Sequence, residues 1–260
     1  MKNALLIIIL CLFASFLCAS RMTITEFEKQ VLQLTNAERV KYNLQPLAYD
    51  EGLADLSRLH SRNMLNLGFF AHKDQFGDMV SERKNKYYPQ LVVSSIGENL
   101  ARFYNTKKFF SPAEIVDGWM NSPAHRENIL HADYTHLGVG VVLSGETMLA
   151  TQSFATPLVK LLTLLPKKFS RKQKYTLEFE YMSPNPASEF GAVLDLPDSE
   201  FRYQIDASRY TVGTIPLHIL WIDPQHFSLE ISFVAGRGLY LLDFGFNNAY
   251  FEDGIRFLVR

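Results

Sequence analysis

Cysteine is nearly missing from this chain: of 260 residues only Cys11 and Cys18 carry a thiol. Both sit in the first 18 positions, so residues 19–260 hold no disulfide. Whatever folds there is held by core packing rather than by covalent staples. An excess of one charge is missing too. Lys and Arg number 26 against 27 Asp and Glu, a balance that speaks against a nucleic-acid partner, which needs a basic surface. There is no HExxH pair, nucleophile elbow, phosphate loop or dinucleotide fingerprint, so the local motifs of the common hydrolases and nucleotide binders are excluded. The apolar run from Ala4 to Leu17 is too short to span a bilayer as a helix.

What is present is apolar material in quantity: 47% hydrophobic residues, with 20 Phe and 12 Tyr, ample for burying a core. At the amino end Lys2 and the run from Ala4 to Leu17 read as the basic and apolar regions of a secretory signal covering residues 1–20. Ser15-Phe16-Leu17 before Cys18 is a loose lipobox, which makes Cys18 the expected lipidation site and the membrane the expected partner. Cleavage after Ser20 is the rival reading. Two or more acyl chains would hold the protein firmly, where one holds only marginally.

From Thr23 to about Leu130 the pattern is helical. Thr25 and Glu28 have capping-box spacing, followed by Val31, Leu34 and Ala37. A second helix is expected from Asp50 to a stop at Gly68, with Leu53, Leu56, His60 and Met64 on one stripe. Ser111-Pro112 opens a third, with Glu114 completing a box, and Ser122-Pro123 opens a short fourth through Leu130. The period then changes to strands over Leu137–Leu143 and Thr147–Ala155, joined by Ser144-Gly145-Glu146. These limits put one unit at 21–158 and a junction at 159–174, whose Lys167, Lys168, Arg171 and Lys172 read as a solvated linker. From Tyr175 to Arg260 apolar and polar residues alternate in about seven strands, as in Phe227-Ser228-Leu229-Glu230-Ile231. That is the pattern of an antiparallel β-sandwich whose aromatics form the core. The fold class is α+β.

Three segments could carry chemistry. His72 follows a helix end, Glu98 lies in Gly97-Glu98-Asn99-Leu100, and His125 sits in the first turn of the helix opened by Ser122. A helix N-terminus disfavours imidazolium, so His125 is expected to be neutral, the form that ligates metal. Two histidines and a carboxylate make a conceivable Zn²⁺ or water-activating set. His60 is expected to pack in the core or at the cleft edge, and His131 and His136 to lie at the surface.

The ordered series Thr35-Asn36-Ala37-Glu38-Arg39, His72, Gly97-Glu98-Asn99-Leu100, the run from Trp119 to Leu130, and Leu137-Gly138-Val139-Gly140 resembles the bacterial branch of the CAP superfamily over about residues 24–156. This is the cysteine-rich secretory protein, antigen 5 and pathogenesis-related 1 type. The resemblance implies an α-β-α sandwich with a cleft lined by two histidines and two acids. By position His72 and His125 are the histidines and Glu98 the first acid. The second acid is replaced by Ser122, which puts a metal-dependent or acid/base role in doubt. The resemblance extends to spirochaetal outer-surface lipoproteins of this family. It implies a surface-displayed, lipid-anchored binding module for lipid, sterol or a host or partner protein. The alternatives are a metal-assisted hydrolase with Glu98 as base and zinc on His72 and His125, or a structural envelope protein with a vestigial cleft. An enzyme is the less favoured of these readings.

Overall fold

The computed structural model describes residues 22–107 and 109–260, so the signal region and Cys18 lie outside the described residues. Five helices, α1 (Ile24–Lys41), α2 (Glu51–Leu67), α3 (Val80–Tyr87), α4 (Pro112–Met120) and α5 (Pro123–Ile129), belong to the first half. The first starts two residues earlier than its sequence spacing predicts. Thr23 is the cap: its hydroxyl accepts from the Glu26 N–H at 3.2 Å, and the Glu26 carboxylate accepts from the Thr23 N–H at 2.8 Å. The Thr25–Glu28 box does not form, because Glu28 is buried and paired with Arg58 at 2.8 Å. The expected limits of α2 hold. The Asp50 carboxylate caps it by accepting from the Leu53 N–H at 2.8 Å, and Gly68 ends it in the left-handed region at φ 72°. Helices α4 and α5 open at their Ser-Pro steps, but neither serine makes a side-chain cap bond and Glu114 closes no box. The proline itself, with its preset φ and no N–H to orphan, supplies the start.

Strands β1 (Ala48–Tyr49), β2 (Leu91–Tyr104), β3 (His136–Ser144) and β4 (Thr147–Leu161) complete this half. Strand β2 corrects the expectation of unbroken helix up to Leu130. It is covered over most of its length, so its apolar and polar residues do not alternate cleanly and no period of two shows in the sequence. It pairs antiparallel with β4, and β4 with β3. Successive β3 residues face opposite ways. Leu137, Val139 and Val141 join the core under α1 and α4, which includes Phe27, Val31 and Trp119. Gly138 and Gly140 turn to α2, where a methyl on either would overlap helix backbone. The result is an α-β-α sandwich.

The second half adds β5 (Lys174–Tyr181), β6 (Phe190–Asp195), β7 (Arg202–Gln204), β8 (Tyr210–Val212), β9 (Thr214–Leu217), β10 (Leu220–Trp221), β11 (His226–Ser232), β12 (Gly238–Phe246) and β13 (Ala249–Val259). These are nine strands where the sequence suggested about seven, the surplus being pieces of two to four residues. One sheet runs β1-β3-β4-β5-β11-β10 with β2 also on β4, and the other runs β13-β12-β6-β9. Phe179, Phe227, Phe233, Tyr240, Phe244 and Phe257 fill the space between β5/β11 and the second sheet, all fully buried. The aromatics are core, as their alternation predicts.

The two halves share a strand. β4 continues to Leu161, pairing Val159 with Tyr181 and Leu161 with Phe179, and Leu158, Val159 and Leu161 pack into the sandwich core. The segment between strands is therefore 162–173, shorter than the 159–174 suggested by sequence, and its basic residues are exposed. A second tie is polar. The buried Lys84 ammonium pairs with Asp253 at 2.8 Å and donates to the Leu91 carbonyl at 3.0 Å, and Asn85 also donates to Asp253.

The sandwich contains one pH-sensitive group of note. Asp243, 3% exposed, is raised to about 7 by burial and by the neighbouring Asp195 carboxylate. Its folded value lies above the unfolded one, so the native state holds the proton more tightly. Stability is then full below about pH 4 and falls as pH rises toward 7, by at most about 1.4 kcal/mol per pH unit for one proton. Urea unfolding at pH 4.5 and 7.5 is expected to show that Asp243→Asn flattens this slope; an unchanged slope would remove Asp243 as its source.

Candidate functional site: the CAP cleft

Glu98 stands on β2, its side chain 3% exposed. Both its oxygens are engaged. The His72 Nδ1–H donates to Oε1 at 2.9 Å, and the Arg83 guanidinium donates to Oε2. Arg83 is itself buried on α3 and donates at 2.6 Å to the carbonyl of His72 and at 2.8 Å to that of Asp78. It thus clamps the loop after α2 onto the carboxylate. His60, fully buried on α2, places Nε2 3.0 Å from the Ala71 carbonyl and 3.9 Å from Glu98 Oε1. Burial pushes the His60 imidazole below its ordinary value, and Glu98 opposes this only in part. A neutral ring donating from Nε2 to Ala71 fits that environment and leaves Nδ1 buried without a partner.

His125 approaches from α5, fixed by a buried amide network. Asn99 donates to the His125 carbonyl at 3.0 Å and to Gln152 at 3.2 Å; Gln152 donates to Thr35 at 2.8 Å. Asn128 donates to the Glu98 carbonyl at 3.2 Å and to the Asn99 side chain at 2.9 Å. Arg39 fastens the end of α5 by donating to the carbonyls of Ile129 and His131 at 2.8 Å each. The residues that mark the sequence series therefore position the cleft. The His125 imidazole is lowered, first by burial and then by the neighbouring His72. Neutrality was expected from the helix terminus; partial burial is the main cause.

The structure thus brings His72 onto Glu98 and places His125 near His72, on the short helix that Ser122 precedes without a side-chain cap bond. Arg83 and His60 belong to the cluster as well. His60 is expected in the core or at the cleft edge, and it is fully buried. Arg83 was not singled out, because it lies in the polar run Ser81-Glu82-Arg83-Lys84-Asn85-Lys86, which reads as a solvated helix. His131 and His136 are half-buried rather than at the surface. The His131 ring lies 4.6 Å from that of Tyr134, and burial lowers the His136 imidazole.

The donor set does not amount to a resident zinc site. Such sites take four protein ligands, or three and a water. Here each Glu98 oxygen already accepts a hydrogen bond, Ser122 has no carboxylate, and among the described residues no three His, Cys, Asp or Glu side chains form a group that could hold a metal ion. Calorimetric titration of the chain with Zn²⁺ is expected to give no micromolar binding that depends on His72 and His125. Tight binding lost in both His72→Ala and His125→Ala would show that the cleft closes around a metal.

An α-β-α sandwich carrying His72, Glu98 and His125 is what the resemblance to the CAP class of domain implies. Residues 32–154 match the family model for CAP, the cysteine-rich secretory protein family, and this part of the chain is a CAP domain. The chain is similar to the uncharacterised protein YkwD of Bacillus subtilis, 39% identical over 133 residues, 51% of this chain and 48% of that protein. It is also similar to the uncharacterised membrane protein YlbC of the same organism, 38% identical over 117 residues, 45% of this chain and 32% of that one. The chain therefore spans at most about half of these relatives. Among solved structures, an extracellular SCP-domain protein of Bacillus anthracis matches at 30% identity and TM-score 0.44, covering 50% of this chain and 40% of that one. An outer surface protein of Borrelia burgdorferi matches at 21% identity and TM-score 0.45, covering 51% and 94%.

Proposed function

We propose that this chain is exported, anchored through lipid at Cys18 and displayed at the outer-membrane surface, and that its CAP cleft binds a lipid, a sterol or a partner protein without turning it over. The observation that carries the reading is the state of Glu98. A general base must come within hydrogen-bond reach of the proton it takes, and here the carboxylate is 3% exposed, with one oxygen on an imidazole N–H and the other on a buried guanidinium. Such a carboxylate orients His72 and fastens the loop around it. The membrane-protein description of one relative and the signal-like amino end agree with display at a membrane.

A paired measurement tests the cleft. Uptake of a radiolabelled sterol and release of nitrophenol from p-nitrophenyl butyrate are followed for the chain, for Glu98→Gln and for the His72→Ala/His125→Ala double variant. Saturable uptake weakened at least tenfold in the double variant, with nitrophenol appearing only at the uncatalysed rate, is the expected result. Release by the chain that Glu98→Gln abolishes would make it a hydrolase instead. For the anchor, Cys18→Ala is expected to move the protein from the membrane fraction to the medium.

A further inference from the structure

Strand β11 is paired on one side over its whole length and on the other over two residues. It meets β5 from His226 to Ser232, but β10 covers only Phe227 and Ser228. The direction of its remaining backbone groups follows from the ladder. Gln225 turns its carbonyl to β5, accepting from the Tyr181 N–H at 2.7 Å, while His226 turns its carbonyl to the β10 side, accepting from the Ile222 N–H at 2.8 Å. With a period of two, Glu230 and Ser232 present N–H and C=O to the side that β10 leaves open. Among the described residues no strand pairs with them there.

Beside this edge lies a cavity of about 340 Å³. Its floor includes Leu194, Ile215 and Ile231 from both sheets of the sandwich, and Lys174, His218 and Glu230 put polar groups at its rim. It exists because the chain leaves sheet two at Leu217 and joins sheet one only at Leu220. The neighbouring edge is apolar, with Leu220, Trp221 and Ile222 each more than a third exposed. Exposed edges are usually blunted by charge, proline or cover; here the only charged side chain on the open stretch is Glu230, paired with Lys174 at 3.0 Å.

We propose that this edge binds an extended peptide segment of a partner protein by strand addition, in line with β10, with one apolar side chain seated in the cavity. The backbone argues for a peptide. Two N–H/C=O pairs about 6.8 Å apart, two residues along a strand, match another extended chain. The cavity receives the side chain between the two bonding positions, against the apolar floor of Leu194, Ile215 and Ile231. This site lies in the sandwich, apart from the CAP cleft, and does not depend on what the cleft binds.

The test uses the isotopically labelled chain and an end-blocked five-residue peptide alternating threonine with leucine. Saturable shifts of the Glu230 and Ser232 amide signals are expected. The same peptide N-methylated at the bonding positions should bind at least tenfold more weakly. So should Leu220→Lys, an exposed change that replaces an apolar side chain at the cavity mouth with a second ammonium beside Lys174, and Ser232→Pro, which removes an edge donor. A His72→Ala/His125→Ala variant should bind the peptide as the parent does. Absent shifts, shifts confined to other strands, or equal binding of the N-methylated peptide would overturn the proposal. Concentration-dependent self-association through Glu230 and Ser232 that the peptide cannot compete away would overturn it in favour of a second copy of this chain.

Discussion

Arg83→Met is expected to lower the stability of the chain by about 3–5 kcal/mol, the usual cost of leaving one partner of a buried ion pair uncompensated. Arg83 and Glu98 have side chains 1% and 3% exposed. Without the guanidinium, Glu98 keeps only the His72 N–H and a distant His60. At roughly 2–4 °C per kcal/mol for a chain of this size, the melting temperature should fall by about 10 °C. The double variant Arg83→Met/Glu98→Gln should recover much of the loss, because the uncompensated charge goes with its partner. Arg83→Lys should fall between, since an ammonium cannot span Glu98 and the two loop carbonyls as a planar fork does. Thermal unfolding of the four proteins measures the coupling. A loss under about 1 kcal/mol in the single variant would mean that Glu98 is hydrated in solution and that the clamp is weak.

Gly140→Ala should cost about 3 kcal/mol or more, toward the upper end of overpacking effects, because the intruding methyl meets main chain that cannot rotate away. At Gly140 it overlaps the backbone at Ser57 and Arg58, and at Gly138 that at Leu53 and Ala54. The contact is reinforced by Ser57 and Ser61 of α2, whose hydroxyls donate to the carbonyls of Gly138 and Gly140 at 3.2 and 2.9 Å. Relief would require α2 to lift off β3 along with His60. Gly118→Ala provides the contrast. It lies inside α4, and its nearest neighbour, Phe103, is 3.6 Å from the added carbon. There the gain in helix propensity, up to about 1 kcal/mol, should dominate. Chemical denaturation of the three variants decides it. Equal and small effects at Gly138, Gly140 and Gly118 would mean that α2 does not sit on the strand as closely as described.

The residues that lock the cleft were legible where they form runs with special chemistry. Asp50 and Gly68 delimit α2 because capping and left-handed backbone each demand a particular residue type. Ser-Pro steps start α4 and α5, although the serines themselves do not cap. His72, Glu98 and His125 were found through the ordered series, since no spacing rule links three residues on a loop, a strand and a short helix. Arg83 escaped because burial of a charged side chain is decided by its partner, and Glu98 is 15 positions away on another element. Strand β2 escaped because a strand covered by both layers has no alternation to read. The basic segment near residue 170 is exposed, as its charge predicts, while β4 runs on to Leu161, because Val159 to Leu161 looks the same whether it ends one pairing or continues into the next.

That continuation gives the chain a mechanical property. A strand of 15 residues belongs to the CAP sheet along most of its length and to the sandwich at its end, so there is no hinge at which a pull on one half could be absorbed. Tension applied at the sandwich would enter β4 along its axis and load the β2 and β3 ladders in shear, all their bonds at once. The Lys84–Asp253 tie resists rotation about that axis from the side. Under tension applied across the junction, the two halves should yield by losing a whole sheet rather than by opening where they meet.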